Sequence, residues 1–281
     1  MESLLVLFGI GLVTGTLSGL FGVGGGFVLV PLLTLIDIPI KQAIALSLVY
    51  IIGTALSGLA SHFRQHTVDI PLALSLALSS VVTAQFGVHL AVGMSTSLLK
   101  LLFGTLTAIV AIFYALKPTP KEKLGAVSIG QTETESKGFL AKFKMLRHKT
   151  VGGQEYTYRL NLLGGLAIGA VVGFVSGMFG VGGGFLMVPL MATLLGIPLK
   201  IAVGTSLLVV IAPATSGSIA LAMADKLDLH LLPALLVGGL VGAQVGAHLV
   251  MLLKGSTLKL SFNLLLLAVS IYMFALGTGL L

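Results

Sequence analysis

Two stretches of this chain carry residues whose types and spacing suggest chemistry. The first is Ser18-Gly-Leu-Phe-Gly-Val-Gly-Gly-Gly-Phe-Val-Leu-Val-Pro31-Leu32, and Ser176-Gly-Met-Phe-Gly-Val-Gly-Gly-Gly-Phe-Leu-Met-Val-Pro189-Leu190 repeats it with 12 of 15 positions identical. Glycine lets the backbone adopt positive φ and approach a ligand closely. A helix that starts just after Gly24-Gly25-Gly26 presents free N–H groups and the positive end of its dipole, which attract anions. Two such starts brought together would form a symmetric anion cradle from Ser18, Gly22, Gly24, Gly25 and Gly26 on one side and Ser176, Gly180, Gly182, Gly183 and Gly184 on the other. The alternative is that these glycines only let helices pack closely. A phosphate loop is excluded, because no Lys-Ser/Thr follows the glycines.

Further polar residues recur in matched positions. Gln85 and His89 lie four apart, as do Gln244 and His248, so each pair shares a helix face. The glutamines are candidates to line the site and the histidines weaker ones; interhelical hydrogen bonding is the competing role. Ser47, Thr54, Ser57, Thr205, Ser206 and Ser216 are weaker candidates to line a pathway, since such hydroxyls often bond their own helix. Arg64, between His62 and His66, reads as an interfacial anchor. The histidine pairs lack further ligands at metal-site spacing, so neither metal nor cofactor is expected. No Lys, Arg, Asp or Glu falls near the centre of any long apolar segment. An anion there would be held by N–H, hydroxyl and amide groups, and a buried carboxylate offers no route for proton coupling.

These residues must be positioned by membrane helices. The chain has 281 residues, 56% hydrophobic and 9% charged, with mean hydropathy +1.11, far below the quarter charged of a soluble domain. Cysteine is absent, which removes disulfides and thiolate sites. The start, Met1-Glu2-Ser3, lacks the basic region of a signal peptide. The net charge of +7 does not indicate nucleic acid, because nine of 16 Lys and Arg lie between Lys117 and Arg159; such a loop reads as cytoplasmic. Apolar runs predict segments at 3–20, 25–36, 41–62, 70–93 and 97–117, then 160–178, 183–196, 200–223, 229–252 and 257–279. The second and seventh amount to about 18–21 Å of helix, short of a hydrocarbon core of about 30 Å. The chain thus divides into a first transmembrane repeat (1–117), a cytoplasmic linker (118–158) and a second repeat (159–281). The linker reads as a solvated tether, with a surface helix over Phe139–Leu146 as the other option.

The duplication extends past the glycines: Ser47 matches Ser206, Ser57-Gly58 matches Ser216-Gly217, and Ala84-Gln85 matches Ala243-Gln244. If the short segments cross, each half has five passes, and Arg64, Lys200, Lys254 and Lys259 share the linker's side, with Lys41, Lys100 and Lys226 opposite. If they re-enter, only Arg64 and Lys226 join the linker. The positive-inside rule favours five passes, hence opposed halves. The expected fold is an all-α polytopic membrane protein of two inverted repeats, each of four long helices plus one short helix after a glycine-rich break. A duplicated, glycine-broken apolar segment marks the substrate site of a two-fold repeated transporter.

The paired Ser-Gly-Leu/Met-Phe-Gly-Val-Gly-Gly-Gly-Phe…Val-Pro-Leu motifs resemble the TauE/SafE, or sulfite-exporter, family, over both halves and excluding the linker. The resemblance implies an inner-membrane permease that moves small sulfur-containing anions such as sulfite or organosulfonates, in many cases outward. Partners are then the anion, the lipid bilayer and a coupling ion, either H+ or Na+. Two other readings stand beside it: a passive anion channel, and an intramembrane serine protease with Ser18 or Ser176 as nucleophile and His89 or His248 as base.

Overall fold

A computed structural model describes residues 2–116, 144–223 and 230–280. The first half contains α1 (Glu2–Phe21), α2 (Gly26–Leu35), α3 (Ile40–Arg64), α4 (Ile70–Gly93) and α5 (Thr96–Leu116). Strands β1 (Lys144–Val151) and β2 (Gln154–Asn161) follow. The second half contains α6 (Leu162–Phe179), α7 (Gly184–Leu194), α8 (Leu199–Met223), α9 (Leu232–Leu252) and α10 (Gly255–Thr278). Among the described residues, eight helices are long and apolar enough to cross a membrane; α2 and α7 are the short ones. Helix satisfies every backbone group inside its own segment, which lipid requires. The protein is an all-α polytopic membrane protein apart from the two strands.

Each half lends its first helix to the other. Helix α1 packs along α9, and α6 along α4. A Cβ added at Gly11, Gly15 or Gly19 would lie 2.2, 2.3 and 2.1 Å from the carbonyl oxygens of Leu235, Gly239 and Ala243. On the other pair, Gly169, Gly173 and Gly177 face the Leu76, Ser80 and Ala84 carbonyls at 2.2, 2.3 and 2.0 Å. No side chain fits these seams, so glycine sets the helix spacing.

The same contacts fix chain direction. Gly11, Gly15 and Gly19 meet successively later residues of α9, so α1 and α9 run parallel. Tyr50 bonds Gly11 and His62 meets Gly19, so α3 also runs with α1. Helix α8 runs against α3, since Gly217 meets Leu48 while Gly58 meets Leu207. It runs with α4, since Asp69 meets Thr205 and Gln85 meets Ser216. Because α1 and α3 are parallel, the short α2 carries the chain back between them. Counterpart helices α1 and α6, α3 and α8, and α4 and α9 therefore point in opposite directions.

From residue 144 on, the linker is not the tether expected of it. Gly152 and Gly153, with φ of 59° and 78°, form a two-residue turn between paired Val151 and Gln154, the geometry of a tight hairpin. Val151, Tyr156 and Tyr158 are buried. The Tyr158 hydroxyl donates to the Asp69 carboxylate, Arg147 Nε lies 3.5 Å from it, and Lys149 Nζ donates to the Val68 carbonyl. These contacts dock the hairpin over the α3–α4 turn, and burial lowers the Lys149 pKa and raises that of Tyr158. The surface helix is likewise overturned where it is described, since 144–146 lie in β1; 139–143 fall outside the described residues.

Candidate functional site

The two glycine breaks meet each other. In the first, Gly22, Gly24 and Gly25 have φ of 70°, 77° and 84°; in the second, Gly180, Gly182 and Gly183 have 68°, 68° and 74°. These are left-handed conformations that side chains disfavour. A Cβ on Gly26 would lie 2.9 Å from the Gly180 carbonyl oxygen, and one on Gly184 would lie 2.6 Å from that of Gly22, so each helix start abuts the other break.

Hydrogen bonding at the breaks is one-sided. Ser206 Oγ donates to the Gly22 carbonyl at 2.6 Å, and its counterpart Ser47 donates to the Gly180 carbonyl. Thr54 Oγ1 donates to the Gly24 carbonyl at 2.9 Å. Negative ends of the broken backbone are thus capped by hydroxyls from α3 and α8. The first N–H groups of the short helices, on Gly26, Phe27, Gly184 and Phe185, have no acceptor among the described residues, and neither N-cap glycine supplies a side chain. What remains is an electropositive nest at each tip.

Ser18 and Ser176 complete it. Both are fully buried, and neither Oγ has a partner. The Ser18 Cβ lies 3.4 Å from the position of a Cβ on Gly25, and the Ser176 Cβ the same distance from one on Gly183. An unpaired hydroxyl therefore stands beside each helix start. Buried polar groups are nearly always paired, yet the same hydroxyl is left without a partner in both halves. Between the tips, Ile51 and Val210 side chains flank both Gly24 and Gly182 and fill the meeting point.

The halves are not chemically equal. Along α3, Tyr50 and Thr54 touch the first break and His62 meets Gly19 before it; the matching α8 positions are Val209, Pro213 and Leu221. The Tyr50 hydroxyl bonds Thr14 Oγ1 at 2.7 Å and the Gly11 carbonyl at 2.8 Å, and a Cβ on Gly25 would lie 3.0 Å from its ring. Sequence reasoning passed over Tyr50, although a tyrosine without a counterpart in an apolar span was a signal.

The other candidates sit elsewhere. Gln85 Nε2 donates to the Ser216 carbonyl and hydroxyl at 2.9 and 2.7 Å. Gln244 Nε2 donates to the Ser57 carbonyl and hydroxyl at 2.6 and 3.2 Å and accepts from Ser61. Both glutamines thus join α4 to α8 and α9 to α3, with Ser57 and Ser216 as their partners. Thr205 accepts from the Asp69 N–H at the hairpin. His89 and His248 are exposed, and His248 Nδ1 lies 2.8 Å from the Gln244 carbonyl. Among the described residues neither the Ser18 nor the Ser176 hydroxyl hydrogen-bonds a base, so the pairing a serine protease needs is not made. Among the described residues, no cluster of three metal-ligating side chains forms.

The model of the sulfite exporter TauE/SafE family matches residues 7–273. The chain belongs to the TauE/SafE family. It is 28% identical over 275 residues to the probable membrane transporter protein YunE of Bacillus subtilis, covering 95% of this chain and 96% of YunE. It is 28% identical to YdhB of the same organism over 92% of this chain and 94% of the relative. A probable membrane transporter of Xylella fastidiosa strain 9a5c shares 28% over 97% and 95%. No solved structure matches. The protein is therefore a multi-pass membrane transporter of the TauE/SafE family, not an enzyme.

Proposed function

We propose that this TauE/SafE transporter moves a small sulfur-containing anion, such as sulfite or an organosulfonate, outward by alternating access around the paired glycine breaks. The observation that carries the anion reading is the matched pair of buried, unpartnered serine hydroxyls, Ser18 and Ser176, beside helix starts with open N–H groups. Three N–H or O–H donors at each tip suit an oxyanion, and no fixed charge is needed to hold it. The sulfur chemistry rests on the family's description. The opposed directions of matched helices support inverted repeats, and Ile51 with Val210 would part as one half rocks against the other. The charge distribution supports a cytoplasmic linker.

The test has two stages. Purified protein is screened by thermal shift against sulfite, thiosulfate, sulfoacetate, taurine and sulfate; a binder raises the melting temperature by mass action. The binder is then loaded into proteoliposomes, where a carrier accelerates uptake of labelled anion by counterflow and a passive channel does not. No stabilisation by any sulfur anion, or flux without counterflow, overturns the proposal.

A further inference from the structure

One ionisable side chain near the first break has no place in the function derived above. His62 is fully buried in α3, and the matching residue in α8 is Leu221, also buried. His62 Nε2 lies 3.1 Å from the Gly19 carbonyl, which follows Ser18 and precedes the break at Gly22 by less than one helical turn. Nδ1 lies 2.8 Å from Thr67 Oγ1, and Thr67 Oγ1 in turn lies 3.0 Å from the His62 carbonyl.

Proton counting separates the two states of this ring. A neutral imidazole has one N–H. If Nε2–H donates to Gly19, Nδ1 must accept the Thr67 hydroxyl proton, and the hydroxyl's own bond to the His62 carbonyl is lost, leaving that carbonyl with the Thr67 N–H at 3.1 Å. If Nδ1–H donates to Thr67, then Nε2 faces the Gly19 carbonyl as acceptor against acceptor. Only the imidazolium makes all three bonds at once: Nε2–H to Gly19, Nδ1–H to Thr67, and Thr67 O–H to the His62 carbonyl. The geometry points to His62 as the site of the proton that accompanies the anion. This rests on the breaks being the anion site.

The step is simple. A proton adds to Nδ1, the Thr67 O–H turns from Nδ1 to the His62 carbonyl, and a positive charge appears on the ring bonded to the residue after Ser18. That charge favours an anion at the first tip, and the anion favours the charge, so their binding is linked. Anion and proton then cross together, so the load carries one negative charge fewer than the anion, and the direction follows the summed anion and proton gradients. Other ionisable groups surround the site. Arg64 and His66 share its chain end, His248 lies on α9, and Asp69 before α4 is engaged by Tyr158 and Arg147, with Lys149 bonded to the Val68 carbonyl. Helix α1 contributes only the Gly19 carbonyl, and α8 contributes Gly204, whose added Cβ would meet Thr67 Oγ1 at 2.3 Å.

Calorimetry of thiosulfate and sulfoacetate binding, run in phosphate and in Tris, reads protons taken up per anion bound. Uptake near pH 7 is expected to approach about one in the wild type and zero in His62→Gln, which still binds anion, more weakly. Thr67→Val keeps the ring but removes the acceptor for Nδ1–H. Its uptake should persist, with its midpoint moved to lower pH by about one unit, because a bond to a charged donor outweighs a neutral one. If His62→Gln does not fold, Thr67→Val decides by this shift. Anion binding without proton uptake in the wild type, unchanged uptake in His62→Gln, or an unmoved midpoint in Thr67→Val overturns the proposal. Failure of the wild type to bind either anion, or any of the screened anions, instead removes the anion site on which it stands.

Discussion

Ser18→Ala and Ser176→Ala should each make the protein more stable and less able to bind its anion. Both hydroxyls are wholly buried and lack partners. Leaving such a group unsatisfied costs about 1–3 kcal/mol. Replacing the hydroxyl by hydrogen leaves a void smaller than a methyl group, so most of that cost is recovered. A net gain of about 1 kcal/mol corresponds to a rise of roughly 2–4 °C in melting temperature. Binding should respond in the opposite sense. A hydrogen bond to a charged group contributes about 1.5–3 kcal/mol, so each substitution should weaken anion affinity by about 10- to 100-fold. Differential scanning fluorimetry in detergent, with and without the anion, reads the stability, and calorimetry reads the affinity. A structural serine behaves differently, because its loss lowers the melting temperature and leaves affinity alone. That result in both variants would falsify the assignment of these hydroxyls to the site.

Other perturbations follow from the same geometry. Gly183→Ala should lose more folded protein than Gly25→Ala by fluorescence-detected size exclusion. Both incur about 1–2 kcal/mol for the left-handed backbone, but the new Cβ meets Val172 Cγ1 at 2.2 Å in the first case and only reaches 3.0 Å contacts in the second. Gln85→Leu and Gln244→Leu should each cost about 1–2 kcal/mol of stability, with normal anion affinity in the surviving protein; lost affinity at full stability would return them to the site. Asp69→Ala removes the acceptor of Tyr158 and Arg147 and the N-cap of α4, so trypsin should cut at Arg147 and Lys149 at least about tenfold faster. Single cysteines at Ser3 and Gly279 should label in intact cells, and one at Glu155 only after permeabilisation; labelling of Ser3 and Gly279 from opposite faces refutes the topology.

The segments were legible because lipid leaves so few choices. Run length and polarity place nine of the ten helix starts within two residues of those observed, and the glycines mark both breaks. The start predicted at 229 falls at Leu232. Orphan hydroxyls could not be read, since Ser18 resembles Ser47 in sequence and only packing leaves one unpaired and the other bonded to Gly180. Partners of Gln85 and Gln244 were hidden likewise, because a helix face does not reveal its neighbour. The hairpin was missed although its signals were present: alternating Tyr156 and Tyr158 and a Gly152-Gly153 turn. Surrounding Lys, Gly and Thr made the linker look uniformly solvated, and the buried carboxylate of Asp69 that anchors it lies 75 residues upstream of the first strand.

The exchange of first helices also constrains how the protein can be made. A ribosome delivers α1 long before α9 exists, and α4 long before α6. Until the second half is inserted, the bare glycine seam of α1 and the matching groove of α4 face lipid without the surfaces that complete them. The first half is thus an unfinished intermediate that must persist in the bilayer during synthesis, the stage at which larger proteins are most exposed to misassembly. By the same token the two halves need no covalent bond to recognise each other. Two chains divided within the linker carry all the interlocking seams, whereas either chain alone lacks a partner for its opening helix.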